Sequence, residues 1–427
     1  MRCAGDRPEP IKTGRHSQAR VISFRDPIHG DHSFDGVIEE LIKTEEFQRL
    51  ADIKQLGLTD KVYTGATHTR LAHAIGVCYL AGEMARRLGI PPEDVLNLQV
   101  AALLHDIGHY DFSHALEPLA PCDHEENSRR MVTGLVKLPD HPSNRIPEVL
   151  LAHGIDPTRI AALLAGRDCP AHYASILSSR VLDADRMDYL KRDTYYTGAV
   201  IGEIDISRLL RVLVVHPETG RIGVLEKGVP SMEQFLIARA HMYQQVYLHP
   251  DSFAAEAMLR KAVAMSRDIA LPFMYGDERL LARLAEHGGP VTRDIIRRIR
   301  AGKRSFHAAA LLVRSDASPE TLARIGELRE EDRRSPGALE RRLLRETGLP
   351  EGGVIVTFDL ATGSDASPPP FPVLRHDGSW ADLFSVSPLA RAVMLELRPH
   401  PVLAVHAALE ARDAVARCVS TLFDAGP

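Results

Sequence analysis

Residues 102–109 read Ala-Leu-Leu-His-Asp-Ile-Gly-His, closing an apolar run that begins at Val100. Five consecutive apolar residues, Val100 to Leu104, leave no polar face, so the segment reads as a helix buried on all sides. A histidine and an aspartate at its end are costly to bury unless they are paired or coordinated. Gly108 marks where the helix gives way to a loop carrying His109 and His114.

Working outward, the pattern stays helical. Apolar spacing predicts helices over 36–58, 70–88 and 92–107. Shorter ones follow at 124–137, 145–153, 158–165 and 172–190, punctuated by Pro139, Pro142, Pro157 and Pro170. A long helical stretch is expected over 231–265, then helices near 277–287, 292–301 and 305–312. Short strands are expected at 21–24, 222–225 and 354–358, with 209–215 readable as helix or strand. The charged stretch 318–348 reads as a solvated helix pair, PPPFP at 368–372 as a rigid connector, and 387–396 as a closing helix. The expected class is mostly α, divided into a leader over 1–20, a helical core over 21–315 and a small α+β region over 316–427.

Composition narrows the function. Apolar content of 44%, charged content of 26% and a net charge of −5 fit a globular protein and give no general nucleic-acid footprint. Five widely spaced cysteines without a CxxC motif read neither as a disulfide framework nor as a thiolate metal site. No apolar window is long enough to span a membrane, and the polar leader lacks a secretory core, so a cytoplasmic enzyme is the expectation. No GxxxxGK[ST] pattern occurs, which argues against a P-loop nucleotide motor.

His73, His105, Asp106 and Asp185 form a ready ligand set for one divalent ion: Mn, Fe, Ni, Co, Mg or Zn. They come from three separate segments, so spacing alone is not diagnostic. A lone histidine followed by an HD pair and a distant aspartate resembles the HD-domain phosphohydrolases. The branch it is most similar to is the deoxynucleoside triphosphate triphosphohydrolases. The resemblance is carried, in order, by DPIHG at 26–30, FQRL at 47–50, IKQLG at 53–57, GATHTRLAH at 65–73 and LHDIGH at 104–109. FSH at 112–114, the pair His124-Glu125 and DRMDY at 185–189 complete it. It covers about 25–200 and continues more weakly through 239–249 and SPLAR at 387–391.

The resemblance implies roles. His73, His105, Asp106 and Asp185 would bind the metal. His114 would protonate the leaving 5′ oxygen, His109 would contact phosphate, and His124 with Glu125 would orient the catalytic histidine. Arg70, Arg186 and Arg239 would clamp phosphates. Gln55, Leu56, Tyr189 and Asp193 would flank sugar and base. Thr44 and Ala51 stand where regulated relatives carry charged nucleotide contacts, which argues against a guanine-nucleotide regulatory site. The implied partners are a nucleotide substrate and further copies of the chain; a membrane or nucleic acid is not expected. The implied reaction releases a deoxynucleoside and inorganic triphosphate. The alternatives are stepwise removal of phosphates from nucleotides or nucleoside analogues, and a non-catalytic binding protein.

Overall fold

The computed structural model describes residues 21–139, 144–270, 274–302, 306–313, 317–358, 369–396 and 401–424. The leader over 1–20 lies outside the described residues. The chain is mostly α with small sheets, as expected.

The helix Arg70–Arg87 starts where Thr69 Oγ1 accepts the Ala72 amide, and it ends against Gly89 and Pro91. It packs on Pro92–Leu104, whose Val100, Ala101, Ala102, Leu103 and Leu104 are fully buried. Truncating Leu104 to Ala in so tight a core would cost about 2–5 kcal/mol. A third helix, Ala184–Thr197, is capped by Asp183, which accepts the Arg186 amide, and closes on Gly198 at φ +71°. Gly76 lets this helix approach Arg70–Arg87, because a Cβ there would lie 2.0 Å from Asp188 Oδ1. These three helices bring His73, His105, Asp106 and Asp185 to one place.

The sheets are local. Val21–Asp26 and Gly30–Asp35 pair antiparallel. A four-stranded sheet runs Leu213–Val215, Ile222–Leu225, Pro372–Leu374, Trp380–Asp382, its central pair parallel. A three-stranded antiparallel sheet holds Pro401–Ala407 between His307–Val313 and Val354–Phe358.

Several expected elements differ, each for a local reason. The helix expected over 36–58 ends at Ile42. Thr44 caps a new short helix, Glu45–Gln48, and Arg49–Asp52 tightens into a 3₁₀ turn. The helix expected over 172–190 splits into Ala171–Leu177 and Ala184–Thr197, because Asp183 accepts the Ser179 amide and holds the intervening turn. The stretch 231–265 breaks where Pro250 lacks an amide hydrogen. It becomes Val229–Met242, a π-turn over Tyr243–Tyr247, and Pro250–Met265.

The segment expected as a helix over 305–312 is the strand His307–Val313. Pairing with Pro401–Ala407 overrides its local preference. The division at 315 therefore does not follow the packing. His307–Val313 belongs to the tail sheet, while Phe371, Val373, Leu383, Phe384, Ala390 and Met394 pack into the main core.

Candidate active site

His73 sits mid-helix on the face turned toward Asp185 and is buried. Its Nδ1–H donates to Asp188 Oδ2 at 2.7 Å, which leaves Nε2 as the free lone pair. That Nε2 lies 3.1 Å from Asp185 Oδ1 and 3.7 Å from Asp106 Oδ2, with no hydrogen-bond partner. His105 is prepared the same way. Its Nδ1–H donates to the Ala102 carbonyl at 2.8 Å, and Nε2, also unpartnered, lies 3.3 Å from Asp106 Oδ1 and 3.8 Å from Asp185 Oδ1. Two imidazole lone pairs facing two carboxylates, with both rings fixed through their other nitrogen, is the arrangement metal-binding histidines adopt. The residues therefore fit a divalent cation.

The support behind this cluster is itself buried and charged. Asp188 also accepts from His29 Nε2 at 2.7 Å and from Arg192, which reaches Asp26 at 2.8 Å. Burial works against charge on His73, yet with no ion bound the Asp185 and Asp188 carboxylates prevail and push its pKa up to about 10, so a metal would bind Nε2 by displacing that proton. A pocket so negative attracts a cation. Burial would likewise raise the Asp106 carboxyl, but Arg70 and the surrounding histidines hold it well below the usual range. Arg70 donates to Asp106 Oδ2 through Nη1 and to Ser113 Oγ through Nε at 2.7 Å.

A second histidine group adjoins the first. His109 is buried, with both ring nitrogens unpartnered and Nε2 at 3.5 Å from Asp106 Oδ1. It stacks on His124, ring centroids 3.9 Å apart, and meets His114 edge-on at 4.8 Å. Burial and neighbouring cations keep His109 neutral by pushing its pKa well below 6.5. Glu117 joins the other two rings. It accepts from His114 Nδ1 at 2.8 Å and from His124 Nδ1 at 2.7 Å. Burial raises the Glu117 carboxyl, but these two hydrogen bonds outweigh it and hold it far below its ordinary value. His114 is the open member, its side chain 65% exposed at the mouth of this group.

Both groups open into a cavity of about 580 Å³. Gln55, Leu56, Arg70, His105, Asp106, His109, His114, His124, Glu125, Asp185, Arg186, Tyr189 and Asp193 line it, so most of the expected site residues share one space. One expectation is corrected. Glu125 lines the cavity, but the carboxylate that orients His114 and His124 is Glu117. Glu125 follows His124 on the helix His124–Val132, so the two side chains diverge by about 100°. Arg239 stands behind Tyr243, and its Nε is a buried donor without a partner. Its Nη1 donates to the Arg180 carbonyl at 3.2 Å, and its guanidinium packs against the ring of Tyr243, which does line the cavity.

Arg129 and Arg260, not singled out from sequence, line the cavity. Arg260 Nη2 and Arg186 Nε are buried donors without partners. Arg186 is otherwise tied to Asp183. Asp193 already accepts from Tyr247 Oη and His68 Nε2, each at 2.7 Å. Spacing could have flagged Glu117, three residues after His114, and Asp188, three after Asp185. Arg129 and Arg260 carry no such signal.

No helix among the described residues is long and apolar enough to cross a membrane. Family models match this chain twice: an HD domain over residues 70–193 and an HD associated region over 204–425. It is 39% identical over 242 residues to an uncharacterized protein of Methanocaldococcus jannaschii, covering 56% of this chain and 49% of that one. It is 32% identical over 274 residues to the deoxynucleoside triphosphate triphosphohydrolase SAMHD1 of Danio rerio, covering 56% of this chain and 44% of that one. The chain thus spans about half the length of these curated relatives. A phosphohydrolase structure from Bacteroides thetaiotaomicron superposes with a TM-score of 0.70 at 23% identity, covering 91% of this chain and 100% of that one, and so shares its fold.

Proposed function

Because the chain belongs to the HD-domain phosphohydrolase family, we propose that it hydrolyses deoxynucleoside triphosphates to a deoxynucleoside and inorganic triphosphate. One observation carries this reading. Two unpartnered imidazole nitrogens and two carboxylates converge, His73 from behind and His105, Asp106 and Asp185 on the wall of a cavity whose lining also includes buried arginine donors without partners. An anionic phosphate chain is the ligand that answers both features.

His73, His105, Asp106 and Asp185 would hold the divalent ion. When bound it supplies Lewis-acid polarisation of the α-phosphoryl group and makes water a better nucleophile. Arg70 and Arg186 take the phosphate charge, joined by Arg129 and Arg260, and hold the chain in line for attack. A water oxygen bonds to the α-phosphorus, the bond from phosphorus to O5′ breaks, and the water's proton passes to solvent. His114 gives its proton to O5′ as that bond breaks. Glu117 fixes the His114 ring through Nδ1, so Nε2 faces the leaving group. His109, kept neutral, can receive a phosphate hydroxyl or donate one N–H to a phosphate oxygen. Tyr189, Tyr247, Gln55 and Leu56 form the wall for sugar and base.

A second reading, stepwise phosphate removal from a nucleotide or analogue, is favoured by Asp193. Both its oxygens are already engaged, so a sugar 3′-hydroxyl would have to share them. The two readings separate by product. All four dNTPs and NTPs are incubated with the protein loaded with Mn, Fe, Co, Ni or Mg, and products are resolved by anion-exchange chromatography. Triphosphate with free deoxynucleoside supports the first reading. Diphosphate and monophosphate intermediates would replace it with the second, and binding without turnover would leave only a nucleotide-binding protein. Assembly into a homo-oligomer belongs to the same reading and is checked by light scattering.

A further inference from the structure

The loop that presents His114 is held in a costly shape. Phe112 and Ser113 both have φ of +58°, and Asp168 is the only other non-glycine residue with positive φ among the described residues. Each such residue costs about 1–3 kcal/mol and persists only where its surroundings impose it. The clamp comes from far along the chain. Asp277, the first residue of the helix Asp277–His287 and 1% exposed, accepts the Phe112 amide at 2.6 Å and the Lys54 amide at 3.0 Å. The exchange is reciprocal. Asp111 accepts the Tyr275 and Gly276 amides at 3.0 and 2.7 Å. Gly276 has φ +98°, and a Cβ there would sit 2.9 Å from Asp52 Cβ, so the clamp needs glycine at this position. Ser113 Oγ completes the turn by donating to the Lys54 carbonyl at 2.7 Å.

We infer that Asp277 is a positioning residue for His114: by accepting the Phe112 and Lys54 amides it fixes the left-handed turn that aims the proton donor into the cavity. The inference rests on the reading of His114 given above. It places a residue of the HD associated region, outside the segment matched as the HD domain, in control of the catalytic loop.

A pH signature separates aiming from simple support. Burial, and then the charge of Asp111, push the Asp277 carboxyl up to about 7 against its two backbone hydrogen bonds. The charged groups facing it are Asp111, Lys54 and Arg49, with Asp52 beside Arg49 and Gly276, and Arg279 beside Asp111. Protonation turns an acceptor oxygen into a donor and loosens the turn, so kcat falls as pH drops through about 7. Stability moves the other way. The folded pKa lies above the unfolded 3.8, so protonation favours the fold as pH falls from about 7 toward 4.

The test measures wild type, Asp277→Asn and Asp111→Asn for kcat, KM, bound metal and hydrogen exchange of amides 110–115 between pH 6 and 9. The exposed neighbour Glu278→Gln is the control. Asp277→Asn is expected to lower kcat about 10- to 100-fold at pH 8, to leave KM and metal content in place, to speed exchange at Phe112 and to flatten the acid limb near pH 7. Asp111→Asn, which loosens the same clamp from its other side, is expected to do the same to a smaller extent and serves if the first variant fails to fold. Unchanged kcat with faster Phe112 exchange would overturn the inference, as would loss of metal together with activity. The exchange measurement does not need turnover. A wild type without phosphohydrolase activity therefore defeats the functional reading, while unchanged exchange in the variants defeats the clamp.

Discussion

At the end of the cavity formed by His73, His105, Asp106 and Asp185, each ring is fixed from behind by a different element. At the neighbouring end a single carboxylate, Glu117, holds His114 and His124 together. The first group is largely buried and tied into the Arg192, Asp188, Asp26 and His29 network. The second reaches the cavity mouth through His114. The contrast assigns different costs. Damage to the first group should remove metal and stability together, because it strands buried charge. Damage to the second should slow the reaction and leave the fold and the ion in place.

The largest effect should follow from Asp106→Ala. Arg70 would lose its carboxylate partner and keep only Ser113 Oγ, and breaking a buried ion pair costs about 3–5 kcal/mol. Thermal unfolding should shift down, elemental analysis should find the ion gone, and turnover should vanish. His114→Ala should keep the ion and the melting temperature while kcat falls about 10²- to 10⁴-fold. An equal loss of metal there would erase the contrast.

Glu117→Gln should be milder, about 10- to 100-fold in kcat, because it disorders the donor ring without removing it. Its stability effect has a definite sign. The folded Glu117 pKa lies below the ordinary 4.5, so its contribution is full above that value and lost as pH falls below it. Melting curves of the Gln variant should therefore lose less stability below pH 4.5 than wild type.

The tail sheet offers the smallest effect at neutral pH. His406 is fully buried on Pro401–Ala407 with both ring nitrogens unpartnered, and burial lowers its pKa from 6.5 to about 4. It stays neutral in the fold, so the unfolded chain takes up the extra proton. Stability falls by about 3 kcal/mol as pH drops from 6.5 to about 4. His406→Phe should change stability by about 1 kcal/mol at pH 7 and flatten that slope, measured by urea titration at several pH values.

Much of this was legible in the sequence where local chemistry is strong. The apolar run ending in His105 and Asp106 read as a buried helix whose polar end had to be paired or coordinated. The histidines and aspartates it called for do converge. The illegible parts depend on distant pairing. His307–Val313 has no alternation to mark it as a strand, and only Pro401–Ala407 makes it one. The hairpin of Pro372–Leu374 with Trp380–Asp382 is readable from Val373, Leu374 and the Asp377-Gly378 turn, but its parallel partner Ile222–Leu225, some 150 residues away, is not. Glu117 was hidden by Glu125, which adjoins His124 in sequence yet points elsewhere. Arg239 is held by one hydrogen bond to the Arg180 carbonyl, while its Nε stays buried and unpartnered behind Tyr243, a placement no sequence pattern shows.

The most direct measurement is hydrolysis of a dNTP in H₂¹⁸O, with both products read by mass spectrometry. Attack at the α-phosphorus predicts one ¹⁸O in the released triphosphate and none in the deoxynucleoside. Label in the deoxynucleoside, or labelled orthophosphate appearing before any triphosphate, would contradict it.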